Sequence, residues 1–225
     1  MNALTPAKDK TARQDDLLKQ AEQRLLWLSH WMIHHANHIH PSDDGIKTGG
    51  HQASSASMVS MLTALYFSAL KPEDRVAVKP HAAPIFHAMQ YLAGNLDVER
   101  MKKFRGYGGV QSYPSRTKDV DDVDFSTGSV GLGVAITSFA SLIQDYISHK
   151  KWGKDLQPGR MVALMGDAEL DEGNIYECLQ EGWKHNLQNV WWVIDYNRQS
   201  LDGIVHEGLW ERAEKIFEAF GWQVV

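Results

Sequence analysis

Hydrophobic positions recur along the chain with two different spacings, which predicts a fold that mixes helices with strands. Between Asp15 and His38 apolar residues fall on one helical stripe that includes Leu25 and Leu28. Residues 160–165 and 190–194 are instead almost continuously apolar. Such runs are typical of strands buried on both faces of a parallel sheet.

Glycine, proline and charged residues separate the remaining elements. The predicted helices cover residues 15–38, 53–70, 82–92, 97–104, 131–149, 174–185 and 211–220. The predicted strands cover residues 75–78, 160–165, 190–194 and, as the start of a further strand, 222–225. Since strands and helices alternate, we expect an α/β fold with a mostly parallel sheet flanked by helices. Residues 105–128 predict a long functional loop.

Composition excludes several classes of protein. The 225 residues carry 23 Lys plus Arg against 28 Asp plus Glu, a formal charge of −5, which argues against a general nucleic-acid binder. No apolar run reaches the roughly 20 residues that span a bilayer, so no membrane partner is expected. One cysteine, Cys178, fits a reducing compartment such as the cytoplasm. Residues 1–14 predict a flexible N-terminus, and residues 15–225 one domain.

Two polar residues follow the two most apolar strands. Asp167 comes directly after the first, and Asn197 follows the second, thirty positions later. A right-handed crossover brings such strands together, and ligands bind at the carboxyl edge of open α/β sheets. A carboxylate and an amide oxygen suit Mg²⁺ or Ca²⁺, and so small a ligand set needs phosphate and water to complete it. The pattern therefore predicts a diphosphate as well as a metal.

The residues around this pair resemble a known signature. Residues 166–174 read GDAELDEGN, and residues 195–203 read DYNRQSLDG. They resemble the thiamin-diphosphate motif of transketolases and homodimeric 2-oxo acid dehydrogenase E1 components, which begins with GDG and ends with an Asn at a similar distance. Residues 49–51, 79–84 and 126–133 look like three further blocks of this family, in family order.

The resemblance implies a thiamin-diphosphate-binding (diphosphate-domain) fold with thiamin diphosphate and Mg²⁺, or Ca²⁺, as cofactors. The implied metal ligands are the Asp167 carboxylate, the Asn197 side chain and the main-chain oxygen of Gln199. The implied cofactor-binding residues are Gly128, Ser129, Val130, Gly166, Asp167, Ala168, Glu169 and Asn197. The implied catalytic residues are His51, His81 and Tyr113.

The resemblance also implies partners. In this family the cofactor lies between the diphosphate domain and a pyrimidine-binding domain of a partner subunit. We therefore expect a homodimer, with the pyrimidine-binding domain on a missing C-terminal part or on another chain. The end at a predicted strand favours a truncated domain over a natural short subunit.

The implied reaction cleaves a C–C bond next to a carbonyl. Residues 112–114, which read SYP, are closer to E1 enzymes that act on pyruvate than to transketolases, and residues 201–203, which read LDG, resemble the same enzymes. A pyruvate-like 2-oxo acid is therefore the expected substrate, and a transketolase that transfers a two-carbon unit from a ketose is the alternative.

Several residues have simpler interpretations. His51 and His81 could be loop histidines bonded to backbone, and Tyr113 a packed loop residue. Ser126 or Ser129 could cap the helix that follows. Ala168 stands where the family usually has Gly; a positive φ there would strain it by about 1–2 kcal/mol, whereas a need for only a small side chain would not. We favour the second interpretation.

Two other functions stay open. Ala168 is the one feature that favours a non-catalytic remnant of the fold. A different Mg²⁺ enzyme that acts on phosphorylated ligands would also use the Asp167 and Asn197 pattern.

Overall fold

The computed structural model describes residues 7–40, 45–153, 155–200, 203–204 and 208–225. Residues 201–202, which belong to the predicted signature, lie outside the described residues. The chain forms two compact units. The helical unit comprises Met1–Leu70 and His81–Ser112, and the sheet unit comprises Lys71–Pro80 and Tyr113–Val225.

The helical unit is built on three helices that pack against one another. Its helices are α1 (Ala7–His34), α2 (Gln52–Ala64), α3 (Ala83–Leu92) and α4 (Val98–Lys102), with π-helical turns at His35–Ile39 and Leu65–Ala69. The buried faces carry large apolar side chains, among them Met32, Leu62 and Phe86. No described helix combines the length and the apolar character that crossing a membrane requires.

The sheet unit contains the parallel sheet that the apolar runs predict. Its strands are β1 (Arg75–Ala77), β2 (Met161–Gly166), β3 (Val190–Asp195), β4 (Gln199–Ser200) and β5 (Gly203–Ile204). Its helices are α5 (Leu132–His149), α6 (Gly173–Lys184) and α7 (Leu209–Ala219). The order β1-β2-β3 is parallel throughout, whereas β4 and β5 form a separate antiparallel pair.

Helices cover the central strand through one apolar cluster. Ala163 and Met165 of β2 lie in this cluster with Val134 of α5. Ile175 of α6 and Phe217 of α7 belong to the same cluster. Since residues at alternate positions of a strand point to the same face, the cluster defines one covered face of the sheet. The predicted α/β class and parallel sheet are confirmed.

Some predicted details are wrong. Helix α1 begins at Ala7 rather than at Asp15; the flexibility expected for the N-terminus stays a prediction. Every residue of β2 is buried, but β3 is largely half-exposed, because it lies at an edge of the described sheet. Residues 222–225 form no strand, since no described strand pairs with them. The β4–β5 pair was not predicted from the sequence.

An ion pair joins the amino ends of β1 and β2. The Arg160 amide donates to Asp74 Oδ1 at 2.7 Å, and Arg160 Nε donates to Asp74 Oδ2 at 3.0 Å. Burial by itself opposes ionisation of this carboxyl, but the hydrogen bonds from Arg160 and from the Lys71 amide outweigh it. Together they lower the pKa of Asp74 to about 2. We call this pair the amino-edge clamp.

We predict that Asp74→Asn lowers the free energy of unfolding by about 2 kcal/mol at pH 7. Because the folded pKa lies below the unfolded one, this contribution is complete above about pH 4 and is lost as the pH falls toward 2. Urea unfolding at a series of pH values measures it. The control Glu99→Gln removes an exposed ion pair with Lys102 and should change stability by less than about 0.5 kcal/mol. An equal loss in both variants would contradict the assignment.

Candidate functional site

The polar residues predicted for the metal site lie at the carboxyl edge of the parallel sheet. Asp167 follows β2 directly and is 1% exposed. Its Oδ1 accepts a hydrogen bond from the Ala168 amide at 2.9 Å, and its Oδ2 accepts one from the Arg198 amide at 2.7 Å. The second bond ties the loop after β3 to the end of β2. The predicted adjacency of the two strand ends is therefore present.

Asn197 and Gln199 lie on either side of that contact. The Asn197 side-chain oxygen accepts from the Gln199 amide at 3.0 Å. Between them, Arg198 adopts φ +62°, a left-handed conformation that costs a non-glycine residue about 1–3 kcal/mol and is common at functional sites. One short turn thus carries Asn197 and Gln199, and its Arg198 amide contacts the Asp167 carboxylate.

These donors fit a hard divalent cation. A carboxylate, a side-chain amide oxygen and a main-chain carbonyl are the oxygen ligands that Mg²⁺ and Ca²⁺ accept. Each oxygen that takes one backbone hydrogen bond keeps a second lone pair. The residues present could therefore hold such an ion together with phosphate oxygens from a ligand.

Glu169 joins the end of β2 to the segment before α5, residues 126–131, which we call the glycine-rich turn. Its Oε1 accepts from the Gly166 amide at 2.9 Å, and its Oε2 accepts from the Gly131 amide at 2.8 Å. Burial raises the pKa of Glu169, although both amide hydrogen bonds act against this. The carboxylate therefore holds the two glycine-containing segments of the predicted site in one place.

The N-cap of α5 is not one of the serines considered in the sequence analysis. Gly131, at φ +79°, is the N-cap of α5, and no side chain caps it. The Ser126 hydroxyl instead accepts from the Arg116 amide at 2.9 Å. The capping role considered for Ser126 or Ser129 is wrong, since the turn at Gly131 places both serines before the cap.

Tyr113 packs against this turn. A Cβ atom placed on Gly128 would lie 3.6 Å from Tyr113 Cδ2, which is ordinary van der Waals contact. The Thr127 amide donates to the Pro114 carbonyl at 3.0 Å and holds the two segments together. Ser129 is exposed and Val130 is half-buried at the tip of the turn.

Ala168 does not carry the strain considered for it. It lies in the short 3-10 turn Asp167–Asp171 and is not among the residues with positive φ. The position therefore does not need a left-handed backbone, and the need for only a small side chain stays a prediction.

The helical unit holds the two candidate catalytic histidines. His51 occupies the N-cap position of α2, and its ring stacks on that of His81 with centroids 4.2 Å apart. Arg105 lies beside them: its Nη1 donates to the Thr48 carbonyl at 2.9 Å, and its Nη2 lies 3.4 Å from His51 Nδ1. Arg105 adopts φ +62°. The two histidines and one guanidinium form a compact polar group.

Sequence reasoning missed three residues beside these sites. Lys79 and Asp195 form a buried ion pair in the sheet unit, with Nζ 2.7 Å from Oδ2. Arg105 contacts His51 in the helical unit. Lys79 and Asp195 do lie inside the family-like segments 79–84 and 195–203, and their place in these segments could have marked them as candidate site residues. Their pairing could not be inferred, because 116 positions separate them.

Comparison with known proteins points to one family. A family model described as "Transketolase, thiamine diphosphate binding domain" matches residues 45–225. The pyruvate dehydrogenase E1 component of Mycolicibacterium smegmatis is 28% identical over 224 residues, which covers 94% of this chain and 24% of that protein. A Staphylococcus aureus transketolase is 27% identical over 144 residues, covering 63% of this chain and 22% of that protein.

Solved structures agree with the fold. The transketolase of Campylobacter jejuni superposes with a TM-score of 0.78 at 26% identity, covering 93% of this chain and 33% of that chain. The transketolase of Leishmania mexicana gives a TM-score of 0.79 at 20% identity. The chain spans about a quarter of the length of the curated relatives it matches.

We predict that Gly131→Ala destabilises the sheet unit by at least about 1–2 kcal/mol, the cost of a left-handed backbone at alanine. Its new Cβ would also lie 2.6 Å from Asn174 Oδ1. Gly128→Ala, in the same turn, should cost less than about 0.5 kcal/mol, since its Cβ meets only ordinary contacts. Thermal and urea unfolding compare the two variants. Equal stability of the two would show that the turn does not impose this conformation.

Proposed function

This chain belongs to the transketolase family of thiamine-diphosphate-binding domains, and on that premise we propose that the carboxyl edge of its sheet binds thiamin diphosphate through a divalent metal ion, Mg²⁺ in the first place. The observation that carries the proposal is the turn at Arg198, which ties Asn197 and Gln199 to the Asp167 carboxylate. When bound, the cofactor supplies the carbanion chemistry that cleaves a C–C bond next to a carbonyl. The protein supplies binding and orientation.

The metal ligands in this proposal are the Asp167 carboxylate, the Asn197 side-chain oxygen and the Gln199 main-chain oxygen. The backbone of Gly166 and Ala168 provides room for the diphosphate, since neither residue carries a bulky side chain. Glu169 binds no phosphate in this proposal; its carboxylate is engaged by two amides and fixes the backbone around the site.

The glycine-rich turn completes the cofactor site in this proposal. Gly128, Ser129 and Val130 contribute backbone and one small apolar side chain toward the rings of the cofactor. Tyr113 supports the turn by packing on Gly128. The bond from the Gly131 amide to Glu169 sets the position of the turn relative to the metal ligands.

We propose His51 and His81 as the groups that bind the substrate carbonyl or carboxylate and transfer protons. Imidazole titrates near neutral pH and both donates and accepts hydrogen bonds, which suits either task. The stacked rings and the neighbouring Arg105 guanidinium support this assignment, because a cation beside the pair favours an anionic ligand.

For the reaction, we propose the E1 step of a pyruvate-like 2-oxo acid dehydrogenase. Support comes from residues 112–114 and from relatives named pyruvate dehydrogenase E1 component. A transketolase reaction is the second candidate, which the relatives and solved structures named transketolase favour. The backbone of Ala168, which has no positive φ, argues against a non-catalytic remnant, although Ala still stands where the family usually has Gly.

The complete enzyme in this proposal contains more polypeptide than this chain. A pyrimidine-binding domain, on a further segment or another chain, and a homodimeric cytoplasmic assembly remain part of the proposal. The isolated chain is then expected to bind the cofactor weakly and not to turn over.

We predict that Asp167→Ala lowers the affinity for Mg²⁺–thiamin diphosphate at least about tenfold, since it removes the only charged metal ligand and about 1.4 kcal/mol of binding energy or more. Asn197→Ala should act in the same direction. Isothermal titration calorimetry measures both. The control is Asp171→Ala, an exposed carboxylate in the same turn, which should leave affinity within about twofold.

Two results would count against this assignment. Undiminished binding by Asp167→Ala would favour the non-catalytic alternative. Equal thermal stabilisation by ADP and by thiamin diphosphate would favour another Mg²⁺ enzyme that acts on phosphorylated ligands.

We predict that the assembled enzyme, containing this chain and its pyrimidine-binding domain, oxidises pyruvate with a kcat/KM at least about 100-fold above that for xylulose 5-phosphate, a difference of about 2.7 kcal/mol. Ferricyanide reduction measures both substrates in one assay. The His81→Phe variant, which keeps a ring at this position, should lose activity with either substrate. A preference for the ketose phosphate would assign the chain to the transketolase branch.

A further inference from the structure

One lysine spans the carboxyl ends of all three parallel strands. Lys79 lies two residues beyond β1, and its Cε would lie 3.2 Å from a Cβ atom on Gly166, the last residue of β2. Its Nζ donates to Asp195 Oδ2, at the end of β3, at 2.7 Å. The side chains of Lys79 and Asp195 are only 5% and 3% exposed. We call this ion pair the carboxyl-edge clamp.

Stability alone does not account for such a pair. Removing two charges from water costs about as much as their attraction returns, so a buried ion pair is a weak source of stability. The sheet already has the amino-edge clamp of Asp74 and Arg160 at its other end. We therefore looked for a function of the Lys79–Asp195 pair in the candidate site, beside the predicted metal ligands.

Asp195 also contacts a predicted ligand. The Asn197 Nδ2 group donates to Asp195 Oδ2 at 3.1 Å, and this is the oxygen that Lys79 binds. A side-chain amide can present either its oxygen or its nitrogen, and only the oxygen binds a cation. By holding the nitrogen, Asp195 fixes the orientation in which Asn197 Oδ1 is available on the other side.

This arrangement has an electrostatic cost that Lys79 removes. Asp195 must be a good acceptor to hold the Asn197 amide, but a second carboxylate near Asp167 repels the phosphates of an anionic ligand. The Lys79 ammonium neutralises Asp195 at contact distance in a buried position, where charges are screened least. Asp195 then orients Asn197 without adding net charge.

We propose, on the basis of the proposed function, that Lys79 and Asp195 are positioning residues: Asp195 orients the Asn197 amide toward the metal, and Lys79 cancels the charge of Asp195 so that a diphosphate can bind. Neither residue contacts the metal in this arrangement. Both act through Asn197 and through the local charge.

The charge role is tested by calorimetry with Mg²⁺ and thiamin diphosphate on the chain assembled with its pyrimidine-binding domain. Lys79→Met leaves an uncompensated carboxylate and should weaken binding at least about tenfold. The double variant Lys79→Met with Asp195→Asn removes both charges but keeps an acceptor for Asn197, and should return affinity to within about threefold of the unmodified chain. A double variant as weak as Lys79→Met would overturn the charge role.

Arg160→Met is the matched control, because it breaks the amino-edge clamp at the opposite end of the sheet. It should lose stability comparably to Lys79→Met while keeping affinity within about threefold. An affinity loss equal to that of Lys79→Met would overturn the proposal, since the effect would then follow from stability alone. Circular dichroism verifies that each variant is folded.

The orienting role is tested without any cofactor. In ¹⁵N-labelled protein, the Asn197 side-chain amide protons should exchange with solvent about tenfold faster in Asp195→Ala, which lacks the acceptor, than in the unmodified chain. The Arg160→Met variant should leave the rate unchanged. An unchanged rate in Asp195→Ala would overturn this role. Failure of the chain to bind thiamin diphosphate even when assembled with its pyrimidine-binding domain would instead count against the proposed function, and the exchange rates would still decide the orienting role.

Discussion

The arrangement of residues at the carboxyl edge of the sheet depends on the parallel pairing of β2 with a strand on each side. In this register Gly166 lies opposite Asp195, so the loops that leave β2 and β3 start beside each other. The Arg198 amide can then reach Asp167, although 31 positions separate the two residues. Without that register, the predicted metal ligands would be unrelated polar residues on separate loops.

Polar contacts then connect the elements that meet at this candidate site. Glu169 joins the end of β2 to the turn before α5, and Lys79 joins the region after β1 to the end of β3. All of these side chains are buried, where an unpaired polar group is costly, and each has a hydrogen-bond partner within the sheet unit. The site is therefore held by the same hydrogen bonds that close the sheet at this end.

Two of the four described non-glycine residues with a positive φ lie at the candidate sites; the other two, Lys151 and Asn186, lie in turns after helices. Arg198 and Arg105 both adopt left-handed backbone conformations, one between the predicted metal ligands and the other beside the candidate catalytic histidines. Such conformations persist only where surrounding contacts over-determine them. Here the bond to Asp167 fixes the Arg198 amide, and the bond to Thr48 fixes the Arg105 side chain. Ala168, by contrast, fits its helical turn without strain.

Much of the fold and the predicted ligand pair, Asp167 and Asn197, could be inferred from the sequence, because both depend on patterns of neighbouring residues. Apolar runs specify the strands β2 and β3; Asp167 follows β2 directly, and Asn197 lies two residues beyond β3. The tertiary structure alone decided which distant polar groups meet: Lys79 with Asp195, Glu169 with Gly131, and Arg105 with His51. It also decided that β3 is half-exposed. Periodicity records which face of an element is buried, whereas these pairings follow from strand order and loop paths.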